Sequence, residues 1–141
     1  MRCTIDASVF VASARSDEPG YLISRNFLRK AQSLEVYCPT LALAECVAAI
    51  ARQTGDPSLA EELAAMIEDF PGINLIPLDL ALARKAAHIA ITHKLRGADA
   101  VYVAVAEAFS TTLISWDQEM LSRSPSAVAT MTPESWLGLD D

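Results

Sequence analysis

An α/β fold on a mainly parallel sheet, with helices on both faces, is the class this sequence predicts, and three observations predict it. Short apolar runs bounded by turn residues alternate with longer segments of helical periodicity. No internal repeat or low-complexity linker divides the chain. Its 141 residues, 52% hydrophobic and 21% charged, suffice for one domain of the usual ~100–150 residues and exclude intrinsic disorder. The expectation is a single domain over residues 1–141.

Each element has a local reason. Residues 2–5 form a strand ending at Asp6. The apolar stretch 7–14 reads as a helix, stopped by the polar turn Ser16-Asp17-Glu18-Pro19-Gly20. Residues 21–33 have helical spacing, with Leu22, Ile23, Phe27 and Leu28 on one side and Arg25, Arg29 and Lys30 on the other. Residues 36–38 make a second strand, broken by Pro39, and Thr40 is a candidate N-cap for the Ala, Leu and Val-rich helix 41–52. Gly55-Asp56-Pro57 ends that helix. Residues 58–70 are amphipathic, with Glu61, Glu62, Glu68 and Asp69 towards water. Pro71-Gly72 turns into the strand 73–76. Asp79 caps the helix 80–93, and Gly97 separates it from the helix 98–109. Residues 111–116 are a strand, 118–123 a short helix, 128–131 a last strand and 133–137 a helical turn whose Trp136 is expected to pack onto the body.

Composition narrows the function. Eighteen acidic against eleven basic residues give a net charge of −7, which argues against a passive electrostatic DNA binder. An enzyme that reaches phosphates through metal ions stays open, because the ions bring positive charge of their own. Cys3, Cys38 and Cys46 have neither disulfide-framework nor zinc-knuckle spacing and read as small buried hydrophobes in a reducing cytosol. Asp6 interrupts the only place for a signal-peptide core, and no apolar run approaches the ~20 residues of a membrane span, so the expected location is cytoplasmic. His88 and His93 stand five apart on one helix, roughly 140° of rotation, and do not converge on a metal. No GxxxxGK, GxGxxG or GxSxG sequence occurs.

Four acids stand in apolar sequence, where an unpaired carboxylate is costly. Asp6 closes the first strand, Glu45 interrupts Leu41-Ala42-Leu43-Ala44 and Cys46-Val47-Ala48-Ala49-Ile50, Asp99 opens a helix of Ala and Val, and Asp117 ends Thr112-Leu113-Ile114-Ser115-Trp116. A basic partner for each, or one shared cation, would relieve that cost. Arg96 lies near Asp99 and Arg52 two turns after Glu45, while the other basic residues cluster elsewhere. Taken together the four point to a shared site, at the carboxyl ends of the strands where parallel sheets gather ligands. All-carboxylate coordination suits Mg²⁺ or Mn²⁺ rather than zinc.

With these residues in view, the sequence resembles the PIN-domain family. Asp6-Ala7-Ser8 after the first strand, Glu45 in an apolar helix, Arg96-Gly97-Ala98-Asp99-Ala100-Val101-Tyr102-Val103-Ala104 and Leu113-Ile114-Ser115-Trp116-Asp117 are similar to its four blocks. Length and the Arg-Gly-x-Asp-Ala block are most similar to VapC-type toxins of bacterial toxin–antitoxin pairs. The resemblance implies a metal-dependent endoribonuclease using one or two Mg²⁺ or Mn²⁺ ions. It assigns Asp6, Glu45, Asp99 and Asp117 as catalytic and metal-holding acids, and Ser8 and Ser115 as supporting hydroxyls. Ser115 replaces the Thr more usual two residues before the last acid and keeps the hydroxyl. The resemblance further implies an RNA substrate, an antitoxin protein as partner and a homodimer.

Two other readings compete. A receiver domain would want a late Lys, and none follows Lys94; a phosphatase with an aspartate nucleophile would want Asp-x-Asp where this chain has Asp6-Ala7-Ser8. A non-catalytic binding module would have no need of an intact acid cluster. Trp116 beside the fourth acid reads as a core residue, with base stacking as its functional alternative.

Overall fold

The computed structural model describes residues 1–139; residues 140–141, the end of the expected domain, lie outside the described residues. The chain runs β1 (Arg2–Ile5), α1 (Ala7–Ala14), α2 (Tyr21–Ala31), β2 (Glu35–Pro39), α3 (Leu41–Thr54), α4 (Pro57–Glu68) and β3 (Ile73–Ile76). It continues through α5 (Leu80–His93), α6 (Gly97–Phe109), β4 (Thr112–Ile114), α7 (Gln118–Arg123), β5 (Thr130–Met131) and α8 (Pro133–Gly138). The strands form one sheet in the order β3-β2-β1-β4-β5, and every pairing is parallel. The α/β class and parallel sheet read from the sequence are what the chain adopts.

β1 lies between β2 and β4, and its Cys3, Thr4 and Ile5 are fully buried. α6 packs against β1, β2 and β4, with α5 against it, while α1 packs with α2, α3 and α4. That placement explains the composition of α6: its residues from Asp99 to Ala106 are all buried, so it is apolar all round rather than amphipathic. All three cysteines are buried and free. Trp136 is 6% exposed and meets Phe27 edge to face at 5.2 Å, anchoring α8 on α2.

Local details correct the sequence reading. Leu22 is 75% exposed; the buried face of α2 is Ser24, Phe27, Leu28 and Ala31, four positions of one helical stripe that excludes residue 22. Pro39 does not break β2 but is its last residue, paired with Ile76 of β3. Thr40 makes no side-chain cap, because its backbone is already helical (φ −56, ψ −25). Gly97 lies inside α6; the break after α5 is made by Lys94 in the left-handed region at φ 55. The strands expected at 111–116 and 128–131 shorten to Thr112–Ile114 and Thr130–Met131. Gly72 is required where it stands: φ is +74, and a Cβ there would collide with the Leu34 carbonyl oxygen.

Candidate active site at the carboxyl end of the sheet

Asp6 and Asp117 follow neighbouring strands, and the pairing of Ile5 with Ile114 brings the two strand ends together. Asp6 also caps α1, its Oδ2 accepting from the Ser8 N–H at 3.4 Å and from the Ser115 hydroxyl at 2.9 Å. It is 5% exposed, and among the described residues no cation pairs with it. Burial pushes its carboxyl up to about 6; hydrogen bonds from Ser8 and Ser115 work against that rise, and the Asp99 charge adds to it.

Asp117 caps α7, its Oδ1 accepting from the Met120 N–H at 2.9 Å. Its own N–H donates to the Ser115 hydroxyl at 2.9 Å, so Ser115 joins the two strand-end acids. Ser8 does similar work: its hydroxyl accepts from the Trp116 N–H at 3.0 Å, tying α1 to the end of β4. Asp56 and Asp79 are capping acids too, but both sit in the open and cap α4 and α5 alone. Capping therefore explains the position of Asp6 and Asp117 but not their company.

Asp99 enters from the first turn of α6 and is 8% exposed. Burial raises its pKa above the ordinary value, opposed by Arg96 and reinforced by Asp117 and Glu119. Arg96 donates through Nε to Asp99 at 3.1 Å and through a terminal nitrogen to Asp117 at 3.2 Å. Glu45 arrives from α3, half-buried, and among the described residues no ion pair engages its carboxylate. Arg52, two turns on in the same helix, makes no ion pair with it. The Tyr102 hydroxyl, on α6, faces Glu45 and Asp6. The arrangement thus links Asp6 to Asp117 through Ser115 and Asp99 to Asp117 through Arg96, with Tyr102 near both Asp6 and Glu45.

The donor set is hard carboxylate oxygen throughout, which fits Mg²⁺ or Mn²⁺ in kind. The unsatisfied Tyr102 hydroxyl shows that hydrogen-bonding capacity beside these acids is not used up within the chain. In this conformation no three His, Cys, Asp or Glu side chains among the described residues stand at metal-holding distance. Arg96 supplies the positive charge that Asp99 and Asp117 share. Its side chain is 73% exposed, so it can swing away at little cost.

Beside the acids lies a cavity of about 680 Å³, lined by Ala7, Val11 and Ala12 of α1, Ile23 of α2, Ala49 of α3 and Trp116, with Glu18, Glu45, Gln53 and Glu134 as its polar groups. Trp116 is half-buried, its indole N–H donating to the Ser24 hydroxyl at 2.8 Å. Gly20 lets this ring close the cavity, since a Cβ there would stand 3.1 Å from it. Two site residues were not assigned a role from sequence. The Arg96 bridge to Asp117 spans 21 positions and had no local signal, whereas Tyr102 had one: it stands three residues after Asp99, on the same helical face.

A family model described as PIN domain matches residues 3–124. No curated protein matches the chain by sequence. Among solved structures, the sarcin–ricin-loop-cleaving toxin VapC20 of Mycobacterium tuberculosis superimposes with a TM-score of 0.75 at 17% identity, over 90% of this chain and 98% of that one. VapBC2 of Rickettsia felis, bound to a promoter DNA fragment, gives 0.69 at 12% identity over 94% and 98%. A toxin–antitoxin complex from Klebsiella pneumoniae gives 0.66 at 16% identity over 93% and 97%. At these identities the likeness is one of fold.

Proposed function

The chain belongs to the PIN domain family, matched over residues 3–124, and from that premise we propose that it is a metal-dependent endoribonuclease, the toxin of a toxin–antitoxin pair. The observation that carries the reading is Asp6: a carboxylate 5% exposed, beside Asp99, with hydroxyl and N–H donors but no cation of its own. A buried acid left in that state is costly unless something cationic joins it. The reading takes residues 1–141 as one nuclease domain.

Asp6, Glu45, Asp99 and Asp117 would hold one or two Mg²⁺ or Mn²⁺ ions. When bound, such ions acidify the attacking water and place positive charge beside the phosphorus and the leaving oxygen. Glu45 would take the proton of the attacking water as its oxygen bonds to phosphorus, and the ribose oxygen whose bond breaks would leave with a proton from solvent. Ser115 holds Asp6 and Asp117 in fixed relation, and Ser8 holds the end of β4 against α1. Arg96, 73% exposed, would leave Asp99 and Asp117 free to hold the ions and could meet phosphate oxygens from the rim.

VapC20 is a sarcin–ricin-loop-cleaving toxin and the Klebsiella pneumoniae neighbour is a toxin–antitoxin complex, which supports an RNA substrate and an antitoxin partner here. The cavity between α1, α2 and α3, apolar within and acidic at its edge, suits an amphipathic antitoxin segment carrying a basic side chain. No helix among the described residues is long and apolar enough to cross a membrane. A cytoplasmic homodimer completes the proposal.

The test is direct. Purified protein should cleave RNA with Mn²⁺, stop in EDTA and lose cleavage in Asp99→Asn. Expression alone should arrest growth, with relief by the neighbouring small gene, and Asp6→Ala should be harmless without it. Cleavage that persists in EDTA would remove the metal-dependent reading.

A further inference from the structure

Tyr102 is fully buried on α6, and its hydroxyl is, among the described residues, the one buried side-chain polar atom without a hydrogen-bond partner. Native proteins rarely leave a phenol in that state, since the unmade bond costs folding free energy. The rest of α6 from Ala100 to Ala106 is only Ala and Val, so packing alone gives no reason for a hydroxyl at this position. Phe would fill the same volume.

The hydroxyl lies close to Glu45 of α3, near enough for a hydrogen-bonding influence of that carboxylate, yet short of full hydrogen-bond geometry. Glu45, half-buried, makes no ion pair among the described residues. A buried donor and a half-buried acceptor thus stand beside each other with their bond not fully made. Asp6, the other carboxylate nearby, already accepts from Ser115 and Ser8.

We propose that Tyr102 is the positioning residue of Glu45: its hydroxyl donates to the Glu45 carboxylate in the working site and fixes the oxygen that is left to face the water or the ion. The proposal rests on the reading above, in which Glu45 belongs to the acid cluster. Tyr102 touches neither substrate nor ion; it acts through Glu45.

Tyr102→Phe removes the hydroxyl alone. Two measurements decide its role: Mn²⁺ binding, read from melting temperature against Mn²⁺ concentration, and RNA cleavage. Loss of a group that orients a ligand should raise the Mn²⁺ Kd about tenfold and lower kcat about tenfold, with KM for RNA within twofold. The melting temperature in EDTA should match or exceed wild type, because an unsatisfied hydroxyl has been removed. In a Glu45→Gln background, Tyr102→Phe should change neither quantity further. Wild-type Kd and kcat in Tyr102→Phe would overturn the proposal, as would a further tenfold loss in the Glu45→Gln background. A melting temperature that falls equally in EDTA and in Mn²⁺ would make Tyr102 a packing residue and overturn it too. Wild-type protein that binds Mn²⁺ but cuts no RNA would defeat the nuclease reading only, and the Mn²⁺ titration would still decide the place of Tyr102.

Discussion

The two ends of β1 are built to opposite specifications. At its start, Arg2 donates to Glu35 at 2.9 Å, to the Phe109 carbonyl at 3.0 Å and to the Tyr37 hydroxyl at 2.6 Å. Its guanidinium lies over the Tyr37 ring, which stacks on Phe109 at 4.7 Å. Charge, hydrogen bonds and aromatic faces are all matched there. At its end, Asp6 is buried without a cation, Tyr102 is a donor without an acceptor, and Asp99 and Asp117 share one exposed arginine. The difference teaches where the molecule spends its interactions. At the amino end of the sheet charge and hydrogen bonds are matched within the chain, though at the surface, while the carboxyl end keeps charge and hydrogen-bonding capacity in reserve for something that arrives.

The comparison breaks most sharply by mutation at each end. Asp99→Asn should lower RNA cleavage by on the order of a hundredfold or more, because a ligand and a charge are lost together. The same change should leave the melting temperature in EDTA equal or higher, since one of several converging carboxylates is gone. Arg2→Ala should do the reverse, lowering the melting temperature by a few degrees while cleavage stays within twofold. Cleavage assays and melting curves on the two variants settle it. An Arg2→Ala protein that folds well but cuts poorly would erase the division between the ends.

The pH dependence of the metal-free protein sharpens the same contrast. Burial raises the Asp6 carboxyl from 3.8 to about 6. Between those values the native state keeps a proton that the unfolded chain has released, so stability falls as pH rises. The contribution is full below pH ~4 and lost above pH ~6, a change of about 3 kcal/mol for a shift of this size. Denaturation in EDTA at pH 4.5 and 7.5 should show about 2 kcal/mol of that loss, and Asp6→Asn should flatten it.

Sequence carried much of this and stopped at identifiable points. The strand at Arg2–Ile5, the helix at Ala7–Ala14 and the Asp79 cap are legible because each depends on neighbours in sequence: apolar runs, and an acid whose Oδ1 accepts the Leu82 N–H at 2.9 Å. The acids were legible because carboxylates stood in apolar sequence. Thr40 failed as a cap because its backbone is held helical, and its N–H goes to Ile76 on β3, a contact no local pattern announces. Leu22 misled because a short amphipathic helix admits two nearly equal stripes, and tertiary packing chose the one through Phe27 and Ala31. Tyr102 was visible as a residue but not as an orphan, because its want of a partner exists only once α3 and α6 face each other.

Arg96 gives the smallest effect and the finest discrimination. Its guanidinium joins Asp99 and Asp117 from the solvent side, and a metal ion taking both carboxylates must displace it. If Arg96 is a competitor, Arg96→Gln should lower the Mn²⁺ Kd a fewfold and reduce the melting temperature in EDTA slightly, because two carboxylates then face each other with less relief. Exposed ion pairs contribute little to stability, so the effect on binding should exceed the effect on melting. It should also fade at high salt, where screening weakens the pairing that the ion has to break. A rise in Kd would mean that Arg96 holds the two acids ready instead of shielding them. The reserve at the carboxyl end of the sheet would then be pre-organised by its own arginine, and the contrast with Arg2 would lie in what the cation is for rather than in whether one is present.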